Sequence, residues 1–115
     1  MSLAWEGTHR RYDVVQAVLA EVARTGRGEI PTALTSEIDE LYGDFASFVR
    51  DLHRRWNLIF DTRLDFLLEN PPPDVDRAIA NLRHDLAVEH PAMRRLLDAH
   101  PDPTAVDVHA TRRVS

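Results

Sequence analysis

Between Ser36 and Glu69 apolar residues return every seven positions. Ile38, Phe45, Leu52, Ile59 and Phe66 form one column, and Tyr42, Val49 and Trp56 form a second, four residues further on in each repeat. A repeat of this kind can be buried only along one stripe of a helix, because 3.6 residues per turn bring i, i+4 and i+7 to the same side. Leu41, Phe48, Phe60 and Leu67 widen the stripe. Thr35 or Ser36 can cap its start, and Glu37, Asp39 and Glu40 then sit on the positive end of the helix dipole. The pattern predicts one helix over 36–69, about 50 Å long at about 1.5 Å per residue. Gly43 followed by Asp44 is its weak point, since a mid-helix glycine costs about 1 kcal/mol and an aspartate offers a new N-cap. The repeat passes through Gly43 without a change of phase, which favours continuity.

On either side lie shorter helical patterns. Tyr12, Val15, Val18, Leu19 and Val22 predict a first helix from about His9 to Thr25, stopped by Gly26 and Gly28. After the second helix, Pro71, Pro72 and Pro73 force a stiff turn, and Asp74 caps a third helix with its seam at Val75, Ile79, Leu82 and Leu86. The same phase continues to Met93 and Leu96 across Pro91. His90 and Pro91 could open a separate short helix, but the unbroken phase favours a kink.

The expected fold is all-α: a long antiparallel hairpin of the second and third helices, plus the shorter N-terminal helix. Facing positions then sum to about 143, which puts Arg63 level with Ala80 and Glu89 level with Arg54. The first helix covers half of the second, so part of a wide aromatic seam is left open, and a bundle completed by dimerisation follows. The alternative is a break at Gly43 that lets the preceding piece fold back and close a monomeric four-helix bundle. Residues 1–101 make a single domain on this reading, and 102–115 a flexible tail.

Composition removes whole classes of chemistry. The chain has 115 residues, no cysteine and no lysine, and its 14 basic residues are all arginine against 19 acids, for a net charge of −5. Thiol catalysis, cysteine-bound metal and Schiff-base chemistry are excluded. No apolar run approaches the roughly 18 residues of a membrane span, and Met1–Arg11 has no signal-peptide core. A cytoplasmic protein without cofactor is expected. Six histidines invite a metal site, yet no Glu stands three residues before His53, His84, His90 or His100 and no histidine pair is spaced i, i+4, so none is expected. Arginine pairs such as Arg54 with Arg55 could grip phosphates, but acids flank most of them and the net charge weighs against nucleic acid as a partner.

Two groups of candidate residues remain. Phe45, Phe48, Trp56 and Phe60 are anchors for a partner helix, from a second copy or another helical protein, with Arg63 at a core position of the heptad fixing register. His53, Arg54 and Glu89 are a candidate polar pocket, Glu89 being the matching oddity on the third helix. The leading expectation is a non-enzymatic interaction or regulatory module. The run Ser36, Glu37, Ile38, Asp39, Glu40, Leu41 ahead of downstream arginines resembles the opening helix of all-helical chorismate mutases, although the lysine of that family is missing and the long helix here comes second. The resemblance implies the alternative, a small enzyme or ligand-binding protein that holds an anionic molecule through Arg54, Arg63 or Arg83.

Overall fold

A computed structural model describes residues 3–103, and every regular element among them is a helix. In chain order these are α1 (Leu3–Thr25), α2 (Thr32–Tyr42), α3 (Phe45–Glu69), α4 (Val75–Glu89) and α5 (Pro91–Ala99). From residue 104 onward the expected tail lies outside the described residues.

The long helix predicted over 36–69 is two helices. Gly43 adopts φ +86°, a conformation that side-chain-bearing residues rarely take, and its N–H donates 2.9 Å to the Asp39 carbonyl to close α2. Asp44 then caps α3, its carboxylate accepting from the Ser47 N–H at 2.7 Å. The heptad phase survives because α2 folds back onto the core that α3 also faces. Ile38 and Phe48 are fully buried together, and the Tyr42 and Phe48 rings meet edge to face at 5.3 Å.

Pro91 likewise ends one helix and begins another. It has no N–H to give the Ala87 carbonyl, and it pushes His90 out of helical geometry, to φ −126° and ψ 62°. His90 donates its N–H to the Leu86 carbonyl at 2.9 Å, closing α4, and Pro91 is the first residue of α5. This break, where the seam alone suggested a kink, lets α5 pack on α1 as well as on α3 and α4.

The core joins Val14, Val15, Val18 and Val22 of α1 to Ile38 of α2, Phe48 and Leu52 of α3, and Met93, Leu96 and Leu97 of α5. Burying side chains of this size is worth about 1.5–3 kcal/mol each. The α1–α2 connection approaches α5 so closely that a Cβ on Gly28 would stand 2.6 Å from the Arg95 carbonyl oxygen. No side chain fits there. By contrast, α4 contributes one fully buried residue, Leu86, and α3 contributes none beyond Leu52. The far part of α3 and most of α4 therefore stand outside the main core, packed against each other.

Candidate functional site

The candidate trio His53, Arg54 and Glu89 has separate engagements. His53 donates its Nε2–H to the His100 carbonyl at 2.8 Å, and His100 donates its own Nε2–H to the Gly28 carbonyl at 3.1 Å, tying α3, the end of α5 and the α1–α2 connection together. Arg54 reaches Asp51 on the same helix, with Nη2 at 2.8 Å from Oδ1. Glu89 accepts from Arg63 at 2.7 Å, not from Arg54. That bond holds the Glu89 carboxyl below its usual range against the opposing effect of burial, and the guanidinium's charge adds a lesser share. Arg63, at a heptad core position, thus leaves the stripe for a half-exposed ion pair between α3 and α4.

Asp51 is the hub of a polar clamp between α2 and α3. Tyr42 donates its hydroxyl to one carboxylate oxygen at 2.5 Å, and Arg55 reaches the same oxygen through Nε at 3.0 Å, while Arg54 takes the other. Burial pushes the Asp51 carboxyl up, but these three donors outweigh it and hold it below the usual range. The Tyr42 hydroxyl is pushed up to about 12, first by burial and then by its bond to Asp51.

The proposed aromatic anchors divide. Phe48 has no exposed surface and belongs to the chain's own core. Phe45 lies at the rim, against Phe48 and the His100 ring. Trp56 and Phe60 face α4 and α5, where the Arg94 guanidinium lies 5.0 Å over the indole and that of Arg83 lies 4.8 Å over the Phe60 ring. Between them is a cavity of about 320 Å³ at the junction of α3, α4 and α5.

A different set of apolar residues is left open. Phe66 is 76% exposed, Leu58 53% and Tyr12 50%. Leu58 and Ile59 form one wall of a groove of about 430 Å³, with Tyr12, Val15 and Leu19 of α1 opposite and Met93 at its end. Leu58, Thr62 and Phe66 follow one another at four-residue steps along α3, and the Thr62 hydroxyl is taken up by the Leu58 carbonyl at 2.8 Å. Phe66 was visible in sequence as the last member of its heptad column. Leu58 carried no such signal, since it falls outside the stripe.

Among the described residues no cluster of three or more histidine or acidic side chains could hold a metal ion, and no helix is long and apolar enough to cross a membrane. No family model, curated protein or solved structure matches the chain, so the likeness of Ser36–Leu41 to a chorismate mutase helix rests on those residues alone.

Proposed function

We propose that the chain is a self-associating helical module whose contact surface is the open face of α3 together with the groove beside it. The observation that carries this reading is the self-complementarity of that face. It holds both a protruding side chain, Phe66, and a recess, the groove walled by Leu58 and Ile59, about two helical turns apart on one helix. A twofold axis through Thr62 would set Phe66 of each copy against Leu58 of the other. The same antiparallel register brings Glu69 level with Arg55, since both lie seven residues from Thr62 and near its face of the helix. A twofold contact needs a surface that matches itself in this way, in shape and in charge. A parallel pairing would instead set Phe66 against Phe66 and acid against acid.

Apposition over about 20 Å of α3, flanked by α1, lies at the small end of stable interfaces, about 1,200 Å² in total. A reversible dimer in the micromolar range is therefore the expected species. The antiparallel hairpin of α3 and α4, with little core of its own, would become half of a four-helix bundle. The anchors of this model are Phe66, Leu58 and Tyr12, where the heptad alone pointed to Phe48 and Trp56.

Light scattering coupled to size exclusion tests it at concentrations tenfold apart, for instance about 20 and 200 µM, chosen to straddle a micromolar equilibrium. The mass should climb from the chain's 13.1 kDa toward twice that value. Phe66→Glu should hold it at the monomer value without lowering the unfolding midpoint of dilute protein, because Phe66 is exposed in the single chain. A wild-type mass fixed at 13.1 kDa at both concentrations would sink the proposal. So would a Phe66→Glu variant that associates as the wild type does.

A further inference from the structure

The cavity of about 320 Å³ at the junction of α3, α4 and α5 lies on the opposite side of α3 from the proposed contact face, because Phe60 and Thr62 are about 200° apart around the helix. It is lined by Trp56, Asn57 and Phe60 of α3, Arg83 and His84 of α4, and Arg94 of α5. Two guanidinium groups, an imidazole and a carboxamide thus surround two aromatic rings, and no carboxylate is among the lining residues. This is an unusual enclosure for a chain of net charge −5.

Of the twelve arginines among the described residues, seven hold a carboxylate or a backbone carbonyl. Among those that could hold an anion, Arg54 is bound to Asp51 and Arg63 to Glu89. Arg94 gives Nε and one terminal nitrogen to Asp98, which leaves its other terminal nitrogen. Arg83 has no hydrogen bond or ion pair with any described residue. Its helix explains why: the positions three and four away are Ile79, Ala80, Leu86 and Ala87, so no acid is in reach along α4. The guanidinium is instead held by the Phe60 ring, which fixes its position without using its hydrogen-bond donors.

We infer that this cavity binds a small organic oxyanion, a carboxylate or phosphate monoester carried on a flat apolar group. The two arginines supply paired, charge-assisted donors for the oxyanion, and Asn57 and His84 add polar contacts at the rim. Trp56 and Phe60 offer apolar surface to the body of the ligand, and the volume matches the lower range of small-molecule sites, about 300 Å³ and upward. Stacking on the rings holds both guanidiniums in place before a ligand arrives, which lowers the ordering cost of binding. The inference does not depend on self-association, since it uses the other flank of α3.

Phenyl phosphate and benzoate are the probes, with inorganic phosphate and benzyl alcohol as controls that each keep one feature. Amide and indole N–H shifts of the wild-type chain, followed by two-dimensional NMR, should move saturably with both aryl anions, with the largest changes at the Trp56 indole, Asn57 and His84. Affinity should fall at least about tenfold in Arg83→Gln, the loss expected for a charge-assisted contact. The ratio of the two aryl affinities identifies carboxylate or phosphate as the preferred head. Three results would each overturn the inference: no saturable shift at millimolar probe, binding by benzyl alcohol or inorganic phosphate as tight as by the aryl anions, or an Arg83→Gln variant that binds like the wild type. A mass measurement that finds only monomer would leave this site untouched.

Discussion

Tyr42 and Asp51 link α2 to α3 through a bond that should be visible in the pH dependence of stability. The Asp51 carboxyl is held low in the folded state, so its contribution is present above the ordinary carboxylate range near 4 and fades as pH falls through the lowered value. Tyr42 acts at the other end. Its folded value is raised to about 12, so its contribution is complete below the ordinary tyrosine value near 10 and is lost as pH rises toward about 12. Tyr42→Phe should therefore cost about 1 kcal/mol at neutral pH, the usual worth of a half-buried hydrogen bond. It should also flatten the decline in the urea midpoint between about pH 10 and 12. Parallel wild-type and variant profiles across that window would mean that the bond does not contribute to folding.

At the level of elements, Gly43 controls how the central segment is divided. The space around it is open, so alanine would meet no neighbour, and the cost of Gly43→Ala comes from the backbone angle alone. At φ +86° that cost should be about 1–2 kcal/mol, read as a lower thermal midpoint. Were the segment one continuous helix, the same change would stabilise by up to about 1 kcal/mol, so the sign of the effect decides. Apolar periodicity from Tyr12 to Leu96 located every helical segment, but it missed the first turns of α1 and α2, which begin at Leu3 and Thr32 where the expected starts were His9 and Ser36. It joined what the fold separates at Gly43 and Pro91 because phase records only which side of a helix meets a core. Helices on either side of a break keep phase when both face that core, as Ile38 and Phe48 do. The local signals for both breaks were present in the Gly43–Asp44 and His90–Pro91 steps. The cation-lined cavity was harder to see. Trp56 and Arg94 are far apart in sequence, and only the turn of α5 at Pro91 brings the guanidinium over the indole.

Across the whole molecule, packing is uneven. The radius of gyration is 16.4 Å, against about 13 Å for a compact chain of this length. The excess agrees with the scarcity of fully buried residues in the far part of α3 and in α4. Charge is uneven too, for residues 57–89 carry seven carboxylates against three arginines, almost the whole net charge of the chain. This acidic region bears on which occupant meets the open face of α3. Two like-charged copies repel over distances that salt screens, the screening length being about 30 Å at 0.01 M and 8 Å at 0.15 M. The aligned Arg55–Glu69 pair would lie at the rim of the contact, worth little by itself, and its main effect would be on orientation. Apolar contact at Phe66 and Leu58 carries the affinity and is hardly changed by moderate salt. Self-association should therefore tighten severalfold as sodium chloride rises from about 20 to 200 mM, followed by sedimentation equilibrium. A basic partner on the same face would show the reverse dependence, since its attraction to the acidic region is what salt weakens. Self-association that weakens with salt would shift the source of affinity from Phe66 to the ion pairs, and Glu69→Gln would then cost more than Phe66→Ala.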